Sequence, residues 1–219
     1  MNTFTSGITI IRLTVGMLET NCYILFDTNS KDAAIVDPAD DAPRILDEAA
    51  KIHLTVRYII NTHGHIDHIG ANAAVKKATH ADLLIHRNDA FMLEDAISNG
   101  AILLGLPYTP IAADRLLDDN DIIWIGNTAI TVIHTPGHSP GSMSLYFDKT
   151  LVSGDLIFRG SVGRWDLIGG DKKQLVASFN GIMKLPEATR IYPGHGPVTS
   201  IADEKVINPF RKEIEEDLL

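Results

Sequence analysis

Cysteine, long apolar runs and positive charge are all scarce in this sequence. The single cysteine, Cys22, excludes an internal disulfide and is typical of a protein from a reducing compartment. The longest apolar runs, such as residues 101–106, are far too short to span a bilayer, so we expect no membrane partner. The formal net charge of −9 repels phosphate backbones, so we also expect no nucleic-acid partner.

Residues 1–16 lack the basic segment and long apolar run of a signal peptide, which predicts a cytoplasmic protein. Linkers, low-complexity stretches and repeats of fixed period are absent from the 219 residues as well. A chain of this length is large enough to bury its own core. We therefore expect a single domain over residues 1–219.

Short runs rich in β-branched and aromatic residues predict strands in both halves of the chain. These runs are residues 8–15, 22–27, 33–38, 56–61, 121–126, 129–135, 142–147, 150–155 and 189–194. Helices are predicted over residues 42–50, where Pro43 lies in the first turn, over residues 68–78, and near residues 172–184. Residues 88–112 are interpreted as a helix followed by a loop. This grouping predicts two sheets with helices on their outer faces.

Histidine is concentrated directly after the strand predicted at residues 56–61. Six positions hold four candidate ligands, His63, His65, Asp67 and His68. No packing or capping requirement explains this spacing, whereas imidazole and carboxylate side chains at such density are typical of a metal site. These residues are therefore interpreted as metal ligands and not as an ordinary polar loop.

Three later loops carry further candidate ligands, each just after an apolar run and beside glycine or proline. They hold His138, Asp155 and His195. Imidazole and carboxylate together suit zinc, iron or manganese, and the lack of thiolates argues against a closed structural zinc site. The full set exceeds the four ligands of one tetrahedral zinc. It predicts two divalent metal ions, zinc first, about 3.5–4 Å apart around an activated bridging water.

The remaining histidines are assigned to a structural background. His53, His80 and His86 are interpreted as polar residues at the surface or at the ends of helices and strands. His134 opens the loop that carries His138, and we expect it to support that loop or a ligand without binding metal itself.

The ligand pattern resembles that of the metallo-β-lactamase-fold hydrolases. An H-x-H-x-D-H string at residues 63–68 precedes the later histidines and aspartate in the family order, and the resemblance covers nearly the whole chain. The stretch "GDLIFRGSVGRWDLIGGD" at residues 154–171, followed by "YPGHGP", is most similar to the short glyoxalase II-like (hydroxyacylglutathione hydrolase-like) branch. The resemblance implies an α/β fold, a four-layer αββα sandwich with the metal site at one edge between the two sheets.

The resemblance also implies a role for each candidate ligand. The first metal site matches His63, His65 and His138, the second matches Asp67, His68 and His195, and the bridging carboxylate matches Asp155. Asp67 and Asp155 are the catalytic residues that it implies. Asp37 matches a position close to the site, and it is interpreted either as a residue that orients a ligand or as a turn aspartate before Pro38.

Three further residues, Tyr108, Arg164 and Asp166, are candidates for substrate binding. Glyoxalase II itself has a lysine and a tyrosine that contact glutathione at the positions held here by Arg164 and Asp166. Arg164 is interpreted either as a cation that holds a substrate carboxylate or as a salt-bridge partner of Asp166. Tyr108 belongs to residues 88–112, which are interpreted either as a wall over the cleft or as ordinary core.

The leading functional hypothesis is hydrolysis of a small-molecule thioester of the S-acylglutathione kind. A metal-bridging hydroxide would attack the acyl carbon while a metal stabilises the oxyanion. One alternative rests on the G-x-x-G-R-x-D pattern at residues 160–166, which resembles the persulfide dioxygenases that use one iron on a similar ligand set. A metal-binding protein without catalysis is the third hypothesis.

Overall fold

The structure, a computed structural model, describes residues 7–211. Residues 1–6 and 212–219 lie outside the described residues, so the single-domain prediction for residues 1–219 and the signal-peptide prediction for residues 1–16 both extend beyond them. Within residues 7–211, every helix is too short or too polar to cross a membrane.

Six strands form the first sheet in their order along the chain. They are β1 (Ile8–Val15), β2 (Thr20–Asp27), β3 (Asp32–Val36), β4 (Thr55–Asn61), β5 (Asp82–His86) and β6 (Arg115–Leu117). The first three strands pair antiparallel, and β3 to β6 pair parallel. Parallel strands need crossover connections. These connections hold α1 (Ala42–Lys51), α2 (Ile66–Ile69), α3 (Asn72–Thr79), a 3-10 helix (Arg87–Leu93) and α4 (Ala101–Leu104).

The second sheet also has six strands, in the order β14-β13-β10-β9-β8-β7. They are β7 (Ile122–Ile125), β8 (Thr128–His134), β9 (Met143–Phe147), β10 (Thr150–Gly154), β13 (Arg190–Pro193) and β14 (Thr199–Ser200). A small hairpin pairs β11 (Ile157–Phe158) with β12 (Ser161–Val162). The pairings make β8, β10 and β13 run in the same direction, so their carboxyl ends share one edge. The remaining helices are α5 (Lys172–Ile182) and α6 (Ile201–Ile207).

The side chains of β2 alternate between two buried layers. Cys22 and Ile24 pack in the layer beneath α1 and α3, whereas Tyr23 and Leu25 pack against the second sheet. Both faces of the strand are therefore apolar, which explains its continuous apolar run. Burying one such large side chain contributes about 1.5–3 kcal/mol.

A third apolar layer lies between the second sheet and its helices. Leu175 and Phe179 of α5 pack there with Leu151 of β10, Ile191 of β13 and Ile201 of α6. The three layers separate four levels of structure, which are helices, sheet, sheet and helices. The two sheets with helices on their outer faces are therefore confirmed, as is the αββα sandwich.

Two predicted segments differ from the structure. The helix predicted over residues 68–78 is interrupted, because the Ala71 N–H donates to Pro38 O at 2.9 Å and leaves the helical ladder between α2 and α3. In residues 88–112 the one predicted helix is replaced by most of the 3-10 helix and the short α4, and the predicted loop follows at residues 105–112. The strands β5 and β6 were not predicted, since each has only a few consecutive apolar residues.

Candidate metal centre

Seven His and Asp side chains converge where the strand ends of the two sheets meet. Within each of three overlapping groups, the potential ligand atoms lie within 4.8 Å of one another. The first group is His63, His65 and His138, the second is Asp67, His68 and His195, and a third, His63, His68 and Asp155, overlaps both. The structure therefore brings together all the residues that the sequence marked as ligands.

The first group combines two histidines of the β4 loop with one from the β8 loop. His65 Nδ1 lies 2.9 Å from His138 Nε2. The His63 ring stands edge-on to both, with centroids 4.8 Å from His65 and 4.7 Å from His138. His63 Nε2 is buried and has no hydrogen-bond partner among residues 7–211. A buried, unpaired imidazole nitrogen is costly unless a cation or water occupies the position it faces.

The second group is centred on His195, at the end of β13. His195 Nε2 lies 3.2 Å from Asp67 Oδ2 and 3.3 Å from His68 Nε2. Asp67 Oδ2 lies 3.5 Å from His68 Nε2. Two imidazoles and one carboxylate in this arrangement match the donor types that zinc, iron and manganese accept.

Asp155 lies between the two groups. Its Oδ1 is 3.4 Å from His68 Nε2, and its Oδ2 is 3.6 Å from the Nε2 atoms of both His138 and His195. Asp155 Oδ1 is buried and, within the described part of the chain, has no hydrogen-bond partner. One carboxylate thus faces both sets of imidazoles, and its unpaired oxygen fits a cation.

Four of the five clustered histidines are oriented through their second ring nitrogen. The contacts are His63 Nδ1 with Thr62 Oγ1 at 3.2 Å, His68 Nδ1 with Asp37 Oδ2 at 2.9 Å, His138 Nδ1 with Arg164 O at 2.7 Å, and His195 Nδ1 with Leu18 O at 3.0 Å. Each contact leaves Nε2 directed at the cluster. Such outer contacts fix the tautomer and ring orientation of a metal ligand.

Asp37 forms the most complete of these outer contacts. Besides His68, its carboxylate accepts the Thr62 N–H at 2.7 Å and the Thr62 hydroxyl at 2.6 Å. Its backbone lies in the left-handed region, with φ of 50°, directly before Pro38. Asp37 therefore has both features proposed from the sequence, a turn conformation and a contact with a candidate ligand.

Burial and neighbouring charges set the protonation of the cluster. Burial lowers the pKa of His63, and burial together with His138 lowers the pKa of His65 to about 3. Burial opposes ionisation of Asp155, but the surrounding imidazoles outweigh it and hold this pKa below its usual value. Burial also favours the neutral form of His68 and His195, but the facing carboxylates outweigh it and raise both pKa values. Neutral imidazoles and ionised carboxylates are the forms that bind divalent metals, so metal binding would displace protons from these two rings.

His195 is held by β2 of the other sheet. Asn21 Nδ2 donates to Pro193 O at 3.0 Å and to Gly196 O at 2.8 Å, and the Tyr23 hydroxyl donates to Pro193 O at 2.7 Å. The carbonyls before and after the histidine are thus fixed by buried side chains. Sequence reasoning missed these two residues, because the contacts join distant parts of the chain.

The candidate substrate-binding residues make contacts of their own. The Arg164 guanidinium forms a two-point ion pair with Asp166, at 2.8 and 2.9 Å, and both side chains are exposed. The Tyr108 hydroxyl donates to Leu93 O at 2.8 Å, and its ring packs against the apolar layer beneath α1 and α3. The salt bridge and the core packing are thus present, and substrate binding by these residues stays a prediction.

A cleft of about 210 Å³ opens beside Asp67. The β1–β2 turn contributes Met17 and Leu18 to its lining, and residues 106–107 line it as well. Asp40 also lines the cleft, while lysine and arginine are absent from its lining within residues 7–211. The cleft beside Asp67 is therefore apolar and acidic.

The histidines assigned to the background lie outside the three groups. His53 and His80 adopt left-handed conformations, with φ of 56° and 58°, two residues after α1 and one residue after α3. The rings of His86 and His134 stack with centroids 4.0 Å apart, and His134 Nε2 contacts Pro140 O at 3.0 Å. Burial lowers the pKa of His86 to about 4.

Comparison with known proteins adds four findings. The metallo-beta-lactamase superfamily model matches residues 15–195, a range that includes all seven clustered residues. The chain is 31% identical to the hydroxyacylglutathione hydrolase GloC of Haemophilus influenzae, over 90% of this chain and 94% of that protein. It is 41% identical to the BLEG-1 B3 metallo-beta-lactamase, with a TM-score of 0.87 over 92% of this chain and 99% of that chain. It is 36% identical to TTHA1623 in a di-iron-bound form, with a TM-score of 0.83 over 91% and 99% of the two chains.

Proposed function

Because the chain belongs to the metallo-beta-lactamase superfamily, we propose that it hydrolyses a thioester at two divalent metal ions held by its His and Asp cluster. The superfamily predicted from the sequence is confirmed, and so is the metal-binding type of the cluster. The thioester, the number of metals and their identity constitute the proposal. Zinc is the first candidate, and the di-iron-bound TTHA1623 supports iron as the second.

The position of Asp155 carries the proposal. Its two oxygens face histidines of both metal groups, at 3.4 to 3.6 Å. A carboxylate shared in this way is what a binuclear site needs, and a single tetrahedral site would leave some of these donors unused. When bound, two divalent ions lower the pKa of water toward about 7 and polarise a carbonyl oxygen.

The protein's own residues orient the candidate ligands and limit the access of water to them. Asp37 keeps the proton of His68 on Nδ1, and Arg164 O does the same for His138. Five of the seven clustered side chains are buried, which limits the access of bulk water to them. A thiolate leaves a tetrahedral intermediate without prior protonation, so a thioester needs no separate general acid from the chain.

The cleft supports a substrate with an uncharged, apolar portion next to the reacting carbonyl. Met17 and Leu18 offer apolar contacts, whereas Asp40 disfavours an anion at this wall. GloC is named a hydroxyacylglutathione hydrolase, which supports S-acylglutathione as the first substrate class. In this proposal the exposed Arg164 side chain exchanges Asp166 for a carboxylate of the thiol-bearing part.

Release of free thiol tests the proposed reaction. Under anaerobic conditions we expect the purified protein to release thiol from S-lactoylglutathione or from a small aryl thioester. A chelator should abolish the activity, and added metal should restore it. Oxygen-dependent consumption of glutathione persulfide, without thiol release from any thioester, would replace the hydrolase with the dioxygenase. Metal analysis of protein purified without added metal should find two metals per chain.

A further inference from the structure

Asp89 is a buried carboxylate that is not itself part of the metal cluster. It lies on the 3-10 helix Arg87–Leu93, directly after β5, and its exposed fraction is 0%. An ionisable side chain without solvent contact is costly unless its oxygens are fully paired. The groups that donate hydrogen bonds to its oxygens therefore show which parts of the chain it connects.

The partners of Asp89 come from two loops that carry metal ligands. Oδ2 accepts the Gly64 N–H at 2.9 Å, and Gly64 stands between His63 and His65 in the chain. Oδ2 also accepts the Ser139 hydroxyl at 2.6 Å, and Oδ1 accepts the Gly141 N–H at 2.5 Å. One carboxylate thus joins the loop after β4 of the first sheet to the loop after β8 of the second sheet.

Both loops pack directly against the 3-10 helix, with no space for a side chain at Gly64 or Gly141. A Cβ atom at Gly141 would meet the backbone nitrogen of Asp89 at 2.5 Å. A Cβ atom at Gly64 would meet Met92 Cβ at 2.5 Å. Both loops approach so closely because glycine stands at these two positions, and the carboxylate then determines their separation.

The pair whose spacing depends on this contact is His65 and His138. They come from the same two loops, and their facing nitrogens lie 2.9 Å apart. We propose that Asp89 is a positioning residue, which sets the distance between these two histidines and thereby the metal affinity of the first group. The inference rests on the proposed metal site and is independent of the thioester.

Asp89→Asn is the variant that isolates this role. Three donors face the two carboxylate oxygens, so an amide of the same shape would direct N–H at a donor and release one loop. The sheets remain joined in the variant, because the Met143 N–H donates to Thr62 O at 2.9 Å directly beside His63. Outer contacts of this kind change metal affinity by about 10- to 100-fold.

Glu204 provides a matched control. Its carboxylate is also fully buried, and it accepts hydrogen bonds from Gly160 N at 3.0 Å, Thr199 Oγ1 at 2.6 Å and Asn208 Nδ2 at 2.8 Å. None of these three partners is in a loop between β4 and α2 or between β8 and β9. Glu204→Gln therefore disturbs an equally buried carboxylate without touching His65 or His138.

The experiment is a Co²⁺ titration of metal-free protein, followed by visible absorption and by thermal unfolding with and without Co²⁺. We expect Asp89→Asn to bind the first Co²⁺ about 10- to 100-fold more weakly than wild type, with an altered visible band. Glu204→Gln should keep wild-type affinity and spectrum, although both variants lower the melting temperature of the metal-free protein. The stabilisation by Co²⁺ should shrink only in Asp89→Asn.

Two results would overturn the inference, namely wild-type Co²⁺ affinity and spectrum in Asp89→Asn, or an equal loss in Glu204→Gln. Failure of the wild-type protein to bind Co²⁺ would overturn the inference and the metal site together. Co²⁺ binding as expected, without thioester hydrolysis, would support the inference and remove only the proposed reaction.

Discussion

The two sheets contribute to the cluster in different ways. The first sheet supplies four ligands from six consecutive positions after β4, residues 63–68. The second supplies His138, Asp155 and His195, each after a different strand. In the first case the spacing of the ligands is set by one loop and the start of α2. In the second it is set by the pairing of β8, β10 and β13.

The four ligands at residues 63–68 form a local set, and His138, Asp155 and His195 form a distributed set. The backbone of the β4 loop has hydrogen bonds within itself, since the His68 N–H donates to His65 O at 2.9 Å and the Asn61 amide contacts His68 O. The second-sheet ligands depend on register, because Gly154 pairs with Pro193 and this pairing places Asp155 beside His195. The spacing of the first-sheet ligands therefore depends on one loop and its outer contacts with Asp37 and Asp89, whereas the spacing of the second-sheet ligands depends on the register of three strands.

The largest effect on metal content and turnover is expected at Asp155, and it should exceed the effect at Asp67. Asp155→Ala removes the carboxylate that faces both groups, so we expect the loss of both metals and a fall in turnover of more than about a hundredfold, beyond the range of outer contacts. Asp67→Ala affects only the second group and should retain one metal. The measurement is metal content per chain together with the rate of thiol release. Equal metal content in the two variants would break the comparison.

A smaller effect is expected at Asp37, which contacts His68 of the local set. Asp37→Asn keeps a residue type that tolerates the left-handed conformation, and it removes a charged acceptor from His68 and Thr62. Metal affinity of the second group should fall about 10- to 100-fold, measured against a competing chelator. Asp40→Asn, on the exposed wall of the cleft, serves as the control. Unchanged affinity in Asp37→Asn would mean that the loop alone orients His68.

The smallest effect is expected at Arg164, where the role of the backbone can be tested apart from the role of the side chain. The backbone carbonyl accepts from His138 and remains in Arg164→Ala, so metal content should not change. Loss of a charge-assisted substrate contact should lower kcat/KM about tenfold, mainly through KM. The exposed ion pair with Asp166 contributes about 0–1 kcal/mol, so the melting temperature should hardly change.

Arg57 is the matched control for Arg164, since it forms an exposed ion pair with Asp32 at 2.7 Å on the first sheet. Arg57→Ala should leave both KM and metal content at wild-type values. If Arg164→Ala loses metal while KM stays constant, the side chain supports His138 and takes no part in substrate binding.

The sequence predicted the parts of the fold that have strong local patterns. The apolar run of β1 and the amphipathic pattern of α1 correspond to the observed elements. By contrast, β5 has only three consecutive apolar residues and lies between two short helices, so its pattern does not distinguish a strand. The break between α2 and α3 depends on the carbonyl of Pro38, which no local pattern indicates.

Candidate ligands were predictable because imidazole density has few structural explanations. Asp89 was not, since an aspartate near the start of a helix-like segment is usual, and its partners lie 25 to 52 positions away in the chain. For Arg164 the salt bridge with Asp166 is present, and its substrate contact stays a prediction. Side chains that act through distant backbone groups leave no local signal.

The contacts of β2 with the loop around His195 have a consequence for synthesis of the chain. Asn21 and Tyr23 are 172 and 170 positions away from their partner Pro193. At about 5–20 residues per second, a ribosome completes β2 roughly ten to thirty seconds before that partner. The apolar face with Tyr23 and Leu25 has no second sheet to cover it until β7 to β10, residues 122–154, have been made. The nascent chain is therefore most prone to aggregate, and most in need of a chaperone, before the second sheet is made.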